Sequence, residues 1–596
     1  MVTISDAMTN AFQAYQTRNL LLAEQICRQV MAQKPTYIPA LHLLGAIAQQ
    51  TGRLDQAIAC YRGILSLNPE HFEALTNLAI ALQEQGELDL AQEYFHKALA
   101  LNPDHARLHF NLGNLRVCQK DWKAAATHFR RAIALQPGYG AAHANLGQAL
   151  HRQGQLIEAA DHYRQVLVLQ PEAADMHLTL GNLLEELNQV AAAVDHYERA
   201  LALQPGWAAV HNNLALALRR LGQPERAIDH LGQAIALQPD YAVAHNNLGV
   251  LLQEQNRATE AIHHCQQAIA LQPDYAAAHL NLGFACLTAG EFRRGFAEHE
   301  YRCQMRHFEL PATCQPLWDG GDIAGKTMLV LVEQGFGDAI QFIRYVLPLA
   351  QLGCQVIVAC QPELIRLFQT LPGVSQVVNR DHPLPAVDVY TLSMSLPHLL
   401  GDRLSDPLWP RVPYLTPPAV DSSLPRELTQ LSPERLKVGL VWASGLPRQS
   451  LELRRFELHI RSHDNRSLPL AQLAQALPET TAPFSLQVGP QRSDLEATGL
   501  AHRILDLSPV LTDFAATAAA IAHLDLVISV DTCVVHLAGA MAKPAWLLLP
   551  FYADWRWLLE RQDSPWYPTM RIFRQPQPGD WQSVLVQLSA ALEAMP

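Results

Sequence analysis

The first half of the chain repeats one pattern of apolar and polar positions every 34 residues, and a proline marks each period. Counting from each proline, leucine stands at the ninth position, glycine or alanine at the tenth, alanine at the twenty-second and, in several copies, an aromatic residue at the twenty-sixth. Apolar positions spaced by three and four residues predict two amphipathic helices in each period. The prolines are Pro35, Pro69, Pro103, Pro137, Pro171, Pro205, Pro239 and Pro273.

A helix pair of this kind cannot bury its apolar face alone, so successive pairs are expected to stack on one another. Small residues at the tenth and twenty-second positions let the paired helices approach closely. The pattern resembles the tetratricopeptide repeat, which has the same period. Because residues 1–34 supply one more pair, the sequence predicts an all-α superhelix of nine helix pairs over residues 1–307. The groove of such a superhelix is the usual binding surface for a polypeptide or a partner protein.

The eighth position of the repeat is asparagine in all but one of the copies compared, and a core leucine follows it. On a helix the two positions differ by about 100°, so the amide can face the groove and bond a polypeptide backbone. The array resembles that of the eukaryotic protein O-GlcNAc transferases, and this resemblance implies an asparagine ladder for an acceptor polypeptide. The alternative is that each amide bonds the neighbouring repeat. The column consists of Asn77, Asn111, Asn145, Asn213, Asn247 and Asn281.

A second column, of histidines, occupies the sixth position of the repeat. Equivalent residues of successive repeats are roughly 10 Å apart, as packed helices are. The ligands of one zinc ion, in contrast, lie within about 2 Å of the metal. The spacing therefore favours packing histidines over a stripe of metal sites. The column consists of His109, His143, His177, His211, His245 and His279.

After residue 307 the repeat register ends, and short buried strands alternate with helices, which predicts parallel α/β layers. The first layer is predicted over residues 308–415, where strand Met328–Glu333 leads into a glycine-rich turn and a helix from residue 339 to residue 352. A proline-rich linker is predicted over residues 416–435, and a second layer over residues 436–596.

The clearest site in the second layer is a βαβ unit with buried strands Leu526–Val530 and Ala545–Leu549. Its turn, Asp531-Thr532, lies where the carboxyl end of a strand meets the amino end of a helix. Free backbone N–H groups and the helix dipole make such a point attractive to a phosphate. A last helix, near Trp581–Leu592, is expected to cross back onto the first layer.

Seven segments of the second half carry a family resemblance. In order they read EQGFGDAIQFIRYVLPLA, SLP, PYL, GLVWASG, NRSLPL, LDLVISVDTCVVHLAGAMAKP and DWRWLLERQDSPWYP. Together they resemble the bacterial proteins that fuse tetratricopeptide repeats to a heptosyltransferase-like (family 9) glycosyltransferase domain, and the match covers about residues 310–590 of this half. The resemblance implies a GT-B fold of two Rossmann-like halves. It also implies an inverting transfer of a sugar from a nucleotide diphosphate donor.

Such a transfer needs a base for the acceptor hydroxyl and groups that stabilise the departing diphosphate. Asp338 follows two glycines that permit close approach of a substrate, and the resemblance implies that it is the base; its alternative role is to cap its helix. No Asp-x-Asp motif occurs in a suitable loop, so neither a metal ion nor a further cofactor is expected. The residues predicted to bind the nucleotide sugar are Gly335, Gly337, Ser444, Gly445, Arg466, Asp531, Thr532 and His536.

Two features qualify the resemblance. Residues Arg448–Asn465 alternate apolar and polar positions and predict an additional hairpin beside the donor site, as either a lid or a mark of lost catalysis. The aromatic segment with Trp555, Trp557, Trp566 and Tyr567 favours core packing over stacking on a sugar or a nucleobase.

The composition excludes some functions and leaves three hypotheses. A net charge of −12 argues against nucleic-acid binding, and the absence of a long apolar run argues against a transmembrane segment. Ten scattered cysteines and a start without a signal-peptide pattern favour the cytoplasm. The first hypothesis is a glycosyltransferase acting on a polypeptide, with an ADP-linked sugar implied by one resemblance and a UDP-linked sugar by the other. The second is a scaffold with a degenerate transferase fold, and the third is a transferase for a cell-envelope glycan.

Overall fold

The computed structural model describes residues 3–305, 308, 315–403, 412–418, 424–430, 435–444 and 466–595. The chain divides into two compact units, Met1–Pro239 and Asp240–Pro596. Within the described ranges the first unit consists of helix pairs, and the second combines further helix pairs with two parallel sheets. Of the helices in these ranges, none has the length and hydrophobicity that a membrane span requires.

The first unit contains seven helix pairs in its described residues. Their bounds are α1 Ile4–Gln16, α2 Leu20–Gln33, α3 Ile38–Gln50, α4 Leu54–Leu67, α5 Phe72–Gln85, α6 Leu88–Leu101, α7 Ala106–Cys118, α8 Trp122–Leu135, α9 Gly140–Arg152, α10 Leu156–Leu169, α11 Ala174–Glu186, α12 Val190–Leu203, α13 Ala208–Arg220 and α14 Pro224–Leu237.

Two more pairs open the second unit, so the described part of the chain has the nine helix pairs that the 34-residue period predicts. They are α15 Ala242–Glu254 with α16 Ala258–Leu271, and α17 Ala276–Thr288 with α18 Phe292–His299. A short 3₁₀ helix, Glu300–Gln304, follows α18.

The turn inside every pair places one residue in the left-handed region, with φ between 59° and 92°. This conformation ends the first helix and reverses the chain. Glycine, which has no β-carbon to clash, fills this position in five pairs, and the other four use arginine, lysine or asparagine. The residues are Arg18, Gly52, Gly86, Lys120, Gly154, Asn188, Gly222, Asn256 and Gly290.

The small residue at the tenth position of the repeat lies directly against the aromatic ring at the twenty-sixth. A β-carbon on Gly113 would lie 2.4 Å from the ring of Phe129, and one on Gly181 would lie 2.6 Å from the ring of Tyr197. Both rings are buried. The predicted close approach of the paired helices is therefore confirmed at these positions, because any larger side chain would push the helices apart.

The histidine column consists of packing residues. In four repeats of the first unit, Nε2 of the column histidine lies 2.9–3.1 Å from the carbonyl oxygen of the repeat's proline. Nδ1 of the same ring lies 2.9–3.3 Å from Nδ1 of a second histidine on the following helix. A carbonyl oxygen only accepts, so Nε2 carries the hydrogen and the second ring donates to Nδ1. The second histidines are His128, His162, His196 and His230.

The first sheet of the second unit has four parallel strands in the order β3-β2-β1-β4. Its strands are β1 Thr327–Leu331, β2 Gln355–Cys360, β3 Val374–Asn379 and β4 Val389–Leu392. Its helices are α19 Phe336–Phe342, α20 Val346–Ala350, α21 Ile365–Phe368 and α22 Leu396–Leu400.

The second sheet has six parallel strands in the order β10-β9-β8-β5-β6-β7. Its strands are β5 Leu436–Val441, β6 Thr481–Ser485, β7 Leu505–Asp506, β8 Leu526–Val530, β9 Ala545–Leu549 and β10 Met570–Arg574. The helices of this region are α23 Arg426–Thr429, α24 Leu470–Gln475, α25 Asp494–Ala497, α26 Phe514–Ala522, α27 Cys533–Ala540 and α28 Trp581–Glu593.

Helix α28 packs into the core of the second sheet. Its buried residues, among them Val584 and Leu588, share one apolar cluster with Val438 of β5, Ile528 of β8 and Leu548 of β9. Another cluster contains side chains of both sheets together with Leu287 and Phe296 of the last repeat. The last repeat and the α/β region of the second unit are therefore built around shared apolar contacts.

Candidate functional site

The predicted βαβ unit is present, with β8, α27 and β9 in succession. All residues of β8 are buried, and β8 pairs in parallel with both β5 and β9. Thr532 follows in extended conformation and is half-buried, and its hydroxyl lies 3.0 Å from that of Ser529. That hydroxyl does not cap helix α27. The amino end of α27 thus keeps backbone donors that a side-chain cap would otherwise occupy.

The glycine-rich turn after β1 leads directly into helix α19. Gln334 has a φ of 64°, an uncommon conformation for a residue with a side chain, and its carbonyl oxygen accepts a hydrogen bond of 3.1 Å from Gln361. Gly335 is the N-cap of α19, and its N–H donates to the carboxylate of Asp338 at 3.2 Å. Asp338 therefore has the capping contact that the sequence offered as its alternative role, while its role as a base stays a prediction.

The two segments that the sequence singled out lie against each other. A β-carbon built on Gly337 would lie 3.2 Å from Cδ2 of His536 and 3.8 Å from Cα of Cys533. The first turn of α19 therefore rests on the first turn of α27, and a larger side chain at Gly337 would require His536 to shift by a few tenths of an ångström. In this way Gly335, Gly337 and Asp338 reach the same region as the Asp531-to-His536 segment, although they are far apart in the sequence.

Arg556 joins Asp338 to this region through an ion pair, although no sequence pattern pointed to this arginine. Its guanidinium forms an ion pair with Asp338, donates to Asp554 at 2.8 Å and donates through Nε to Gln341 at 2.5 Å. The side chain of Arg556 is 9% exposed, whereas that of Asp338 remains 25% exposed. Asp338 is thus fixed on one side and accessible on the other. In the sequence, the only feature near Arg556 that suggests a buried charge is its position between Trp555 and Trp557.

Arg466 and Asp531, both predicted from the sequence, form an ion pair at 3.3 Å. Burial raises the pKa of the Asp531 carboxyl, and Arg466 partly opposes this shift. Burial also acts against ionisation of Asp554, but Arg556 and Arg466 outweigh it and hold the pKa of Asp554 below its usual value. Three carboxylates and two guanidinium groups therefore form one network at the meeting point of α19 and α27.

His536 is buried beneath this network. Its Nδ1 lies 3.0 Å from the hydroxyl of Tyr567, and its ring centroid lies 5.1 Å from that of Trp557. Burial, reinforced by the nearby Arg556, lowers the pKa of His536 to about 3. His536 is consequently a neutral imidazole near neutral pH, so it can support a diphosphate by a hydrogen bond but not by a positive charge.

The aromatic segment is core. Trp555, Trp557, Trp566 and Tyr567 are all buried, which confirms the core-packing interpretation. The buried guanidinium of Arg344 lies 5.4 Å from the ring centroid of Trp566 and 5.0 Å from that of Tyr567. Cation–π contacts of this kind stabilise a desolvated charge. Trp555 contacts the guanidinium of Arg556 in the same way, at 4.3 Å from its ring centroid, so the buried rings of this segment pack around both arginines and are not exposed to a sugar.

Ser444 follows β5, and its N–H donates to the hydroxyl of Ser467 at 3.3 Å, next to Arg466. This contact places Ser444 near the predicted donor site. Gly445 and the predicted hairpin Arg448–Asn465 lie outside the described residues.

The asparagine column makes contacts between neighbouring repeats. Nδ2 of Asn145 donates to Asn114 at 2.8 Å, and Nδ2 of Asn213 donates to Asn182 at 3.1 Å. Asn281 donates to Asn246 at 2.9 Å in the same way, and Nδ2 of Asn77 lies 3.0 Å from Nε2 of His42. Nδ2 of Asn111 is buried without a hydrogen-bond partner. Of the column, Asn281 is buried and the other five residues, Asn247 included, are half-buried.

These contacts match the alternative that the asparagines bond neighbouring repeats, and polypeptide binding by the column stays a prediction. Within the described ranges, no group of three or more histidine, cysteine, aspartate or glutamate side chains is arranged to hold a metal ion.

Comparison with protein-family models identifies the repeats. Two tetratricopeptide-repeat models match, one over residues 70–138 and the other over residues 42–91, 113–168, 145–208, 212–275 and 251–294.

Relatives and solved structures are similar over part of the chain. Protein FlbA of Caulobacter vibrioides is 26% identical over 340 residues, which cover 51% of this chain and 53% of FlbA. The chain thus spans about half the length of this curated relative. YrrB, a TPR protein with an unusual peptide-binding site, is 24% identical over 31% of this chain and 95% of its own, with a TM-score of 0.29. For pilF of Pseudomonas aeruginosa the identity is 23%, the coverage 35% and 94%, and the TM-score 0.31.

The two family-model matches agree with the helix pairs, the left-handed turns and the glycine–aromatic contacts of the structure. The N-terminal region of this chain, from residue 42 to residue 294, therefore consists of tetratricopeptide repeats.

Proposed function

We propose that this protein is a tetratricopeptide-repeat scaffold that binds an extended polypeptide along the first helices of its repeats. Stacked repeats are protein-interaction modules, and their surface is long enough for an extended chain. The observation that carries the proposal is the column of amides at 34-residue intervals, whose four members in the first unit, Asn77, Asn111, Asn145 and Asn213, are all half-buried on these helices. Where Nδ2 is bonded to the neighbouring repeat, as in Asn145, Oδ1 can still accept from a polypeptide N–H.

The combined variant Asn111→Ala, Asn145→Ala, Asn213→Ala is expected to weaken polypeptide binding by about tenfold or more, since each hydrogen bond contributes about 0.5–1.5 kcal/mol. The probe is reduced, carboxymethylated α-lactalbumin, a permanently unfolded polypeptide whose backbone is accessible. Binding to the full chain is measured by fluorescence anisotropy.

The matched control is Asn114→Ala, Asn182→Ala. It removes the same two inter-repeat hydrogen bonds from their acceptor side and leaves the column itself intact. We expect the control to bind the probe nearly as well as the unmodified protein. Equal losses in the two variants would show that the column serves only to join the repeats.

A second function, transfer of a sugar from a nucleotide diphosphate donor to the bound polypeptide, is favoured by one observation. Gly337 lies against the amino end of α27, so the partly exposed carboxylate of the next residue, Asp338, lies beside the region where the family resemblance implies a diphosphate. Arg466 and Thr532 supply donors for its oxygens. Three carboxylates share this region with the two arginines, and their negative charge opposes the binding of a diphosphate.

In the proposed reaction, the acceptor oxygen forms a bond to the anomeric carbon while the bond from that carbon to the diphosphate oxygen breaks. The proton of the acceptor hydroxyl moves to Asp338, and the electron pair leaves on the diphosphate. Backbone N–H groups of α27, the Thr532 hydroxyl and Arg466 then stabilise the charge that develops on the leaving group.

We expect one of ADP, UDP, GDP or CDP to raise the melting temperature of the full chain, because a ligand that binds only the native state stabilises it. Thr532→Val should weaken this binding about tenfold, since a hydrogen bond to a charged group contributes about 1.5–3 kcal/mol. Thr517→Val is the matched control, because its hydroxyl bonds the backbone carbonyl of Asp513, the N-cap of α26. Asp338→Asn should retain binding and lose donor hydrolysis. If the unmodified protein binds none of the four nucleotides, the scaffold function stands alone.

A further inference from the structure

A buried ion pair links the end of the repeats to the start of the glycine-rich turn. Arg302, in the 3₁₀ helix after α18, donates to Glu333 through Nε at 3.2 Å and through its terminal nitrogen at 2.7 Å. The side chains are 4% and 8% exposed, so the pair is removed from solvent. Glu333 immediately precedes Gln334, the residue with positive φ.

The same pair holds a third segment. Arg302 donates to the hydroxyl of Ser395 at 2.7 Å, and the carboxylate of Glu333 accepts from the N–H of Met394 at 3.1 Å. Each group thus has several partners in fixed directions. A buried carboxylate that lost its guanidinium would have to move toward water or become protonated. Apart from that charge, Glu333 and Ser395 would lose the directed hydrogen bonds from Arg302 that attach the turn beginning at Gln334 and the segment around Ser395 to the end of the repeats.

The last repeat also packs on the helix that carries Asp338 and on the segment that carries Arg556. The ring of Phe296, in α18, lies 6.1 Å from that of Phe342 at the end of α19 and 5.9 Å from that of Trp555. Both contacts are edge-to-face and buried. The two partners of the Asp338–Arg556 ion pair therefore rest on one helix of the repeat array.

We infer that Arg302 is a positioning residue, through which the last repeat fixes the glycine-rich turn and the direction of Asp338. An effect of Arg302 on catalysis rests on the proposed sugar transfer. Its effect on the position of the turn does not require that function. A displacement of the end of the repeat array would therefore move Glu333 and, with it, the glycine-rich turn of the candidate site.

Hydrogen–deuterium exchange of the full chain tests this inference, because amide protection reports local opening. In Arg302→Met we expect amides within residues 333–342 and 393–396 to exchange at least about tenfold faster, with strands β8 and β9 unchanged. Arg302→Lys should be intermediate, since one ammonium cannot reproduce the two-nitrogen contact with Glu333. If the methionine variant does not fold, the exchange of the lysine variant is measured in its place. Arg294→Met is the control, because this partly exposed arginine of α18 pairs only with Glu291 of the same repeat among acidic side chains of the described residues.

A second variant distinguishes the loss of the hydrogen bonds of Arg302 from the effect of leaving the Glu333 carboxylate unpaired. Arg302→Met with Glu333→Met removes both charges, and we expect the exchange within residues 333–342 to remain fast. Recovery of protection in this double variant would overturn the inference, as would unchanged exchange in Arg302→Met or an equal acceleration in β8 and β9. Nucleotide binding by the unmodified protein is measured alongside, and its absence would refute the proposed transfer while leaving the exchange result to stand on its own.

Discussion

Arg556→Met is expected to lower the free energy of unfolding of the second unit by about 3–5 kcal/mol, the usual cost of breaking a buried ion pair from one side. The substitution keeps most of the apolar volume but leaves Asp338 and Asp554 without their shared guanidinium and Gln341 without its donor. Burial alone already acts against ionisation of Asp554, so its carboxylate would become strongly unfavourable. The measurement is urea unfolding followed by tryptophan fluorescence, which reports mainly on the second unit because it contains eight of the ten tryptophans.

Arg561→Met is the matched control for this prediction. Arg561 pairs with Asp563 at 2.6 Å, but both side chains are largely exposed, so its loss should change the free energy of unfolding by about 0.5 kcal/mol or less. A loss in Arg556→Met no larger than that of the control would contradict the buried network, and with it the fixed direction of Asp338.

Buried strands and periodic helices could be read from the sequence because burial on both faces leaves a continuous apolar run. Strands β8 and β9 have the predicted bounds, Leu526–Val530 and Ala545–Leu549. The predicted helix from residue 339 to residue 352 is interrupted instead, by a 3₁₀ turn at Ile343–Tyr345. Pro348 explains the break, since it lacks an N–H and its ring clashes with the carbonyl four residues earlier.

The strands that the sequence did not reveal are the two edges of the second sheet. β7 is only two residues long and half-buried, and β10 includes an exposed arginine, Arg571. An edge strand is paired on one side only, so it need not be apolar throughout. The predicted strand Met328–Glu333 also ended too late, because Glu333 belongs to the turn and pairs with Arg302.

The candidate site was only partly readable because its members come from distant parts of the chain. Asp338 and Thr532 follow strands, which makes such positions recognisable. Arg556 is 218 residues from Asp338, and no local pattern links the two. The partners of the histidine column, in contrast, carried a signal that was missed, since a second histidine follows each column histidine by 19 residues in five successive repeats.

The repeats are expected to lose stability as the pH falls from about 6.5 to about 4, because burial of the second histidine of each pair disfavours its protonation in the folded chain. Burial, reinforced by His109, lowers the pKa of His128 to about 4, and burial likewise lowers the pKa of His162, His196 and His230. An unfolded histidine takes up its proton near pH 6.5, so the unfolded state binds more protons in this window. Stability is therefore full above pH 6.5 and declines below it, as the unfolded histidines take up protons that the folded ones resist.

The variant His128→Asn, His162→Asn, His196→Asn, His230→Asn tests this directly. Asparagine keeps a donor for the column histidine but does not titrate, so the decline in stability between pH 7 and pH 4.5 should be clearly shallower in the variant. Urea unfolding followed by circular dichroism at several pH values gives the slope. At pH 8 the two proteins should unfold at nearly the same urea concentration, which shows that the hydrogen bonds survive. Parallel pH dependences would mean that the pairs take up protons in the folded state and that the imidazole contacts do not require neutral rings.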